Sequence, residues 1–168
     1  ILHKGCDKLL DQSLHRRHVL NVAEQVIQLS SKPEYIEYRL IALSYKAMAH
    51  ALLAQHDLAF DGLQRVESLI EQYTQFTDHL QLLEILAVAY HYQGNYQTAI
   101  IMYNKLIKLR FDSLRIKNVD KTYYNLASAY LELTQFDDAY NAFWEAKKYA
   151  EKKSAAIRIA YAELGLGQ

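Results

Sequence analysis

The chain has 168 residues, of which 51% are hydrophobic, and its 19 Lys and Arg residues are balanced by 19 Asp and Glu residues. This length and composition are enough for a sizeable core and exclude a disordered chain, while the balanced charge lacks the positive field that nucleic-acid binding requires. With 5 Gly and 1 Pro there are few turn-forming residues, so we expect an almost wholly helical chain that does not bind nucleic acid.

The first residues contain neither a recognisable targeting signal nor a membrane span. No run in the sequence reaches the roughly 18 apolar residues of a membrane helix, and residues 1–12 lack the apolar centre of a signal peptide. Because the sequence starts at Ile1 rather than at Met, we interpret it as a fragment of a longer protein. We favour a cytoplasmic location, with the periplasm as the alternative.

Two helices are predicted before the first repeated segment. Apolar residues recur at steps of three and four over residues 11–30 and indicate an amphipathic N-terminal helix there. Pro33 suits the first turn of the next helix, for which we expect Ser31 as the N-cap. This second helix should cover residues 34–54.

Three segments then share one pattern of large and small residues. We place the strongest copy at residues 120–153, a second at 80–113 and a degenerate one at 42–75. Each reads as two amphipathic helices joined by a short turn, with small residues where the helices cross closely. The residues of the pattern are, from the strongest copy to the weakest, Tyr123, Leu126, Ala127, Tyr130, Ala139, Phe143 and Ala146; Leu83, Leu86, Ala87, Tyr90, Ala99, Tyr103 and Leu106; and Tyr45, Met48, Ala49, Leu52, Gly62, Val66 and Leu69.

This pattern resembles the tetratricopeptide repeat, a stacked pair of antiparallel helices. The resemblance implies an all-α fold, a single domain over residues 1–168 that forms a right-handed superhelix of antiparallel helix pairs with about eight helices. The offsets from Met48 to Leu86 and from Leu86 to Leu126 are 38 and 40 residues, so we expect longer helices or connections than in the standard unit. Members of the family are generally scaffolds that bind peptides or other proteins, and the resemblance implies the same role here.

Residues 154–168 begin one more first helix. Ala155, Ile157, Ala160, Tyr161 and Leu164 supply its apolar positions. We interpret this segment as a truncated repeat, with a solvating capping helix as the alternative.

No catalytic or metal-binding motif is recognisable in the sequence. It lacks a glycine-rich phosphate loop, HExxH and GxSxG. His15 and His18 share a helix face, but the adjacent Arg16 and Arg17 disfavour a bound cation, and we interpret this run as a solvated surface. Cys6 is the single cysteine and is interpreted as a bystander thiol. We therefore expect no enzyme activity, no cofactor and no metal.

The concave face of the superhelix is the binding surface that the resemblance implies. We expect it to be lined by residues of the first helices that face neither the partner helix nor the neighbouring repeat. These residues are Lys46, His50, Glu84, Val88, His91, Tyr124, Asn125 and Ser128. A histidine in this groove would suit a ligand carboxylate, and a polar side chain that simply faces water is the alternative.

The carboxylate clamp of chaperone-binding family members is not expected. Asn125 matches the middle position of the clamp. Glu84 and Val88 stand where the first Lys and Asn belong, and Ala155 and Ile159 stand where the last Lys and Arg belong. The resemblance therefore does not imply a co-chaperone.

Two functional hypotheses remain. The first is a non-catalytic scaffold whose groove accepts a peptide, a partner protein or another domain of the same chain. Its long repeats, rich in Tyr, Leu and Gln, look like the regulatory regions of bacterial signalling proteins, such as transcription activators and diguanylate cyclases of the GGDEF type. The alternative is self-assembly of the parent protein, as a homodimer for example, through the apolar faces of residues 14–27 and 157–166.

Overall fold

The computed structural model describes residues 2–76, 79–113, 118–152 and 155–167, with side chains from residue 14 onward. These residues form eight α-helices and no strand, which confirms the predicted all-α class. Short 3-10 helices also occur at Pro33–Tyr35 and Thr74–Phe76. The α-helices are α1 (Leu2–Leu29), α2 (Ile36–Leu52), α3 (His56–Gln72), α4 (Leu80–Gln93), α5 (Tyr96–Asp112), α6 (Val119–Glu132), α7 (Phe136–Glu151) and α8 (Ala156–Leu166).

The first two helices differ from their predicted bounds. α1 begins at Leu2, well before the predicted start at residue 11. Pro33 lies in the first turn of a short 3-10 helix, as its fixed φ angle favours. The N-cap of that helix is Lys32 rather than the predicted Ser31, and α2 follows from Ile36. Cys6 lies in the part of α1 whose side chains are outside the described set.

The chain divides into two compact units, residues 1–93 and 94–168. The boundary falls inside the segment 80–113. A single domain over the whole chain stays a prediction, and each unit is described by itself below.

In the first unit, α2 is the central helix and packs against α1, α3 and α4. It runs antiparallel to α1, since Lys46 Nζ lies 2.9 Å from Glu24 Oε2 and Arg16 donates a 2.7 Å hydrogen bond to the carbonyl of Leu52. It runs parallel to α4, whose start is joined to α2 by a 3.2 Å hydrogen bond between His79 Nε2 and Glu37 Oε1. The core contains Leu40, Ala47, Ala59, Leu63, Val66, Leu82 and Leu86.

The second unit is built around α6 and α7, and α8 packs mainly against α7. α7 and α8 are antiparallel, with Lys147 Nζ 2.9 Å from Glu163 Oε1. α6 and α8 run in the same direction, with Asp120 Oδ2 2.7 Å from Arg158 Nε. Residues Ala99, Tyr103, Leu106, Leu126, Ala127, Ala139, Phe143 and Ala146 are buried in this unit.

The second helices of the repeats recur with a period of 40 residues. α3, α5 and α7 begin at His56, Tyr96 and Phe136, and α2 and α8 begin 120 residues apart at Ile36 and Ala156. The buried alanines follow the same period, as Ala47, Ala87 and Ala127 on the first helices and Ala59, Ala99 and Ala139 on the second helices. The first repeat therefore lies at residues 40–73. Its predicted register is wrong by two residues on the first helix, where Ala47 rather than Ala49 follows the period, and by three residues on the second helix, where Ala59 rather than Gly62 follows it.

The turns inside the pairs explain this register. Ala54, Gly94 and Thr134, again 40 residues apart, all have positive φ angles. At Ala54 the amides of Ala54 and Gln55 bond back to Ala51 and His50, which is the Schellman arrangement that ends a helix. The amides of Thr134 and Gln135 do the same. Only Gly94 carries the residue that such a turn favours, so the sequence signals one turn of the three.

Within the described residues, no helix combines the length and the apolar character that crossing a membrane demands.

Candidate functional site

Lys46 and His50 lie in a cleft of about 440 Å³ between α1, α2 and α3. In the 40-residue register Lys46 corresponds to the buried Leu86 and Leu126, and His50 corresponds to Tyr90 and Tyr130. Their side chains thus replace apolar packing residues of the other repeats. The predicted position of these two residues on the open face of α2 depended on the incorrect register.

Charged side chains meet in this cleft. The hydrogen bond and the charge of Lys46 lower the pKa of Glu24 below its ordinary value. His50 Nδ1 lies 2.7 Å from Oε1 of Gln55, which belongs to the turn after α2. Asp61 and Arg65 of α3 line the opposite wall. The acidic and basic side chains of the cleft are therefore equal in number.

Glu84, Val88 and His91 all lie on α4, and all three side chains are partly exposed. The His91 ring meets the Tyr92 ring edge-on, with 5.6 Å between centroids. Glu84 and Val88 correspond to Tyr124 and Ser128 of the next repeat. The equivalent residues on α2 are Ser44, which is buried and donates to the Leu40 carbonyl, and Met48.

The second unit brings Tyr124 and Asn125 together in a cleft of about 270 Å³, which we call the α6–α8 cleft. Ser128 lies one turn further along α6, where its hydroxyl donates to the carbonyl of Tyr124. The α6–α8 cleft is lined by Asp120, Lys121, Tyr124, Asn125, Ala146, Arg158 and Tyr161.

Charge and aromatic surface lie side by side in the α6–α8 cleft. The Asp120 side chain is 1% exposed and its carboxylate faces Arg158, which is 42% exposed. Lys121 is exposed at the rim. The Tyr124 ring contacts both Phe143 and Tyr161, at centroid distances of 5.5 and 6.0 Å. The cleft can therefore offer positive charge and ring faces to one ligand.

Sequence reasoning did not select Lys121, Arg158 or Tyr161 for this site. Lys121 lies one helical turn before Asn125 on α6, so the two side chains share a helix face. This spacing is the feature of the sequence from which Lys121 could have been predicted as a site residue. Arg158 and Tyr161 belong to residues 154–168, which the sequence predicts as a truncated repeat, with a capping helix as the alternative. Among the described residues, no three His, Cys, Asp or Glu side chains come together as metal ligands.

A protein-family model matches two of the helix pairs described above. The tetratricopeptide repeat model matches residues 80–113 and 120–153. The chain carries tetratricopeptide repeats. Residues 40–73 repeat the same helix pair one period earlier, with Ala47 and Ala59 at the crossing.

Tetratricopeptide repeats generally mediate interactions between proteins, and domains built from them are typically non-catalytic. The two matched segments therefore support a role in protein binding. A comparison with curated proteins gave no match.

Proposed function

We propose that this tetratricopeptide repeat module is a non-catalytic scaffold that binds a protein or peptide, and that the α6–α8 cleft contacts the ligand. The observation that carries this proposal is the position of Lys121 and Arg158 beside the rings of Tyr124 and Tyr161. Asp120 neutralises part of the Arg158 charge, which leaves Lys121 as the main cation at the rim.

The chemistry of the cleft favours an acidic segment that also carries an aromatic or aliphatic side chain. A carboxylate near Lys121 would form a charge-assisted hydrogen bond, and the Asn125 amide can pair with a peptide backbone. The rings of Tyr124 and Tyr161 would cover the apolar side chain. A terminal-carboxylate clamp is not proposed. In the 40-residue register its last two positions fall on Tyr161 and Gly165 rather than on Ala155 and Ile159, and neither residue is basic.

Peptides of opposite charge test this proposal. We expect a fluorescent peptide of alternating Glu and Phe to bind, and a peptide of alternating Lys and Phe to bind at least about tenfold more weakly. Lys121→Glu and Tyr124→Ala should each weaken the acidic peptide about tenfold or more. Lys108→Glu on the exposed side of α5 is the matched control and should leave affinity unchanged. Equal binding of both peptides, or equal loss in the control, would contradict the proposal.

For the first unit we propose a second contact surface on α4. Glu84, Val88 and His91 form this surface. Met48 of α2 lies 40 residues before Val88 and occupies the equivalent position in the first repeat. Lys46 and His50 would contribute to binding only through the separate cleft between α1 and α3. Amide chemical-shift changes on addition of a ligand distinguish these surfaces, since α4 and the Lys46 cleft lie on different faces of α2.

The parent protein is also part of the proposal. We infer that the module regulates a larger bacterial signalling protein, such as a GGDEF-type diguanylate cyclase or a transcription activator. What supports this inference is the 40-residue repeat and the abundance of Tyr, Leu and Gln. The test is whether the gene encodes such an output domain in the same polypeptide. The ligand is then a peptide, a partner protein or that output domain, and the equal numbers of basic and acidic residues argue against nucleic acid.

Self-assembly is the second candidate function. Large apolar side chains are exposed both on α1 and α2 and on α8. Apolar patches of this kind mark interaction surfaces.

A further inference from the structure

The Lys46 cleft, the space of about 440 Å³ between α1, α2 and α3, corresponds to a filled space in the second unit. Two 40-residue periods later its three walls correspond to α5, α6 and α7. There Ile100, Leu126 and Ala142, the counterparts of three residues that line the cleft, are at most 6% exposed. The same three helices are present around both spaces, so the side chains decide that only one of them is open.

Smaller side chains open the Lys46 cleft. Leu43 and His50 of α2 correspond to tyrosines of α6. Gly62 of α3 corresponds to an alanine of α7 and has no side chain to place in the cleft. Part of the volume that side chains fill in the second unit is therefore open in the first.

Charged side chains surround the opened space. Lys46 corresponds to the buried Leu126, and Asp61 corresponds to the neutral Asn141. A charge where another repeat packs an apolar side chain gives up stability, and such departures from good packing are expected at functional sites. The Lys46 cleft is therefore a candidate binding site.

Three of the five titratable side chains in the Lys46 cleft already have partners in the protein. Lys46 and Glu24 form an ion pair at 2.9 Å, and His50 lies within hydrogen-bond distance of the turn after α2. Asp61 and Arg65 have neither a hydrogen bond nor an ion pair within the described part of the chain. The charges of Asp61 and Arg65 are thus available to a bound molecule.

These two charges are opposite and lie one helical turn apart on α3. Residues four apart on a helix have Cβ atoms about 5–6 Å apart. The backbone of a free dipeptide spans at most about 7 Å between its ammonium and carboxylate groups, whereas a single amino acid holds the two groups about 2.5 Å apart. The spacing of Asp61 and Arg65 therefore matches the two free ends of a dipeptide.

The rest of the lining is uncharged. It consists of Leu20, Leu43, Ala47, Leu58 and Gly62. An apolar wall with a few polar groups is typical of sites for small molecules, which have volumes of about 300–1,000 Å³. Apolar side chains of a dipeptide would lie against the leucines.

The balance of charge also restricts the ligand. An anion would be repelled by Glu24 and Asp61, and a cation would be repelled by Lys46 and Arg65. A ligand that carries one charge of each sign avoids both penalties, provided that each charge lies beside its opposite.

We propose that the Lys46 cleft binds a free dipeptide with apolar side chains, whose ammonium group lies at Asp61 and whose carboxylate group lies at Arg65. The ion pair of Lys46 and Glu24 joins α2 to α1 at the edge of the cleft and keeps these walls in place. This inference goes beyond the proposed function, because both the cleft and the ligand differ from those of the α6–α8 cleft.

Dipeptides with blocked ends test the proposal. Leucyl-phenylalanine with two free ends should shift the amide resonances of α1, α2 and α3 in the full chain, with a Kd below about 1 mM. N-acetylated leucyl-phenylalanine lacks the ammonium group, and leucyl-phenylalanine amide lacks the carboxylate group. Each blocked form should bind about fivefold more weakly, as loss of one exposed ion pair implies.

Two variants assign the ends of the ligand. Asp61→Asn should weaken the free dipeptide about fivefold but should not weaken the N-acetylated form, which has no ammonium group to pair. Arg65→Gln should do the same for the amide form. Glu71→Gln, the same kind of change at an exposed residue of α3 outside the cleft, is the matched control and should leave all three affinities unchanged.

A variant with a filled cleft provides an independent test. Lys46→Leu with His50→Tyr introduces the residue types of the second unit and should abolish binding of leucyl-phenylalanine, since the new side chains occupy the cleft. Far-UV circular dichroism of every variant must match the parent, and Asp61→Ala serves if Asp61→Asn does not fold.

Four results would overturn the proposal: no amide shifts at about 10 mM free dipeptide, equal affinities of the free and blocked forms, equal loss in the Glu71→Gln control, or binding by the filled variant. Lys121→Glu separates this test from that of the proposed function. It should lose the Glu–Phe peptide and keep leucyl-phenylalanine, and loss of the dipeptide in this variant would place the dipeptide in the α6–α8 cleft and contradict the proposal.

Discussion

Asp120 and Arg158 form an ion pair in which one partner is buried and the other is not. The Oδ2 and Nε atoms are 2.7 Å apart, and the side chains are 1% and 42% exposed. The pair links α6 to α8 and forms one end of the α6–α8 cleft. The two residues should consequently respond differently to substitution.

We expect Arg158→Ala to cost more stability than Asp120→Asn. Removal of the arginine takes one cation away from a buried carboxylate, at a cost of about 2 kcal/mol, whereas Asp120→Asn leaves a cation that water can reach and costs about 1 kcal/mol. Urea unfolding followed by circular dichroism measures both. Arg158→Lys is the control and should fall between them, and the reverse order would contradict the burial of Asp120.

Gly165 is required by the ring of Phe143. A methyl group at Gly165 would overlap that ring, which is itself buried, so Gly165→Ala should destabilise the chain by about 2 kcal/mol despite the better helix propensity of alanine. In a Phe143→Leu background the same change should cost less. Gly167→Ala is the control, because a methyl group there meets only ordinary contacts at 3.6 Å. A neutral Gly165→Ala would contradict the packing of α8 on α7.

The turns at Ala54 and Thr134 adopt positive φ angles with residues that disfavour them. Replacing Thr134 by Gly relieves this strain and should raise the free energy of unfolding by about 0.5 to 1 kcal/mol. Gly94→Ala should lower it by a similar amount. Gln135→Gly, at a φ of −87°, is the control and should destabilise. If Thr134→Gly also destabilises, the turn does not have the left-handed conformation.

Tyr90 should make stability fall at alkaline pH. Burial first, and then its hydrogen bond to Glu67, raise the pKa of the Tyr90 hydroxyl above its ordinary value. The folded state thus holds a proton that the unfolded state releases, so the contribution is complete below about pH 10 and is lost as the pH rises further. Unfolding free energies at pH 8 and pH 11, measured for the parent and Tyr90→Phe, should show the smaller decline in the variant. Equal declines would indicate an exposed hydroxyl.

Lys46 and His50 provide a test of the register. Both occupy positions where the other repeats pack Leu or Tyr, so Lys46→Leu with His50→Tyr should raise stability by about 1 kcal/mol. Gln64→Leu on the exposed side of α3 is the control and should change little. No gain in the double variant would mean that these two side chains face open solvent.

The first repeat shows where sequence reasoning was insufficient. Alanine occurs at positions 42, 47, 49 and 51, so several registers place a small residue at the helix crossing. The position of the left-handed turn at Ala54 fixes the register in which Ala47 lies at the helix crossing. The sequence does not indicate this turn, because alanine rarely adopts a positive φ angle. Lys46 and His50 were assigned to the open groove for this reason.

The sequence by itself determined the helical class and the two strongest repeats, because helix periodicity and small crossing residues are local signals. The tertiary structure decided the 40-residue register of the first repeat and the meeting of Asp120, Lys121 and Tyr124 with Arg158 and Tyr161. It also decided which apolar faces remain uncovered on α1, α2 and α8. The physical reason is that an amphipathic stripe specifies burial, whereas the helix that covers it depends on the turn geometry and on contacts distant in sequence.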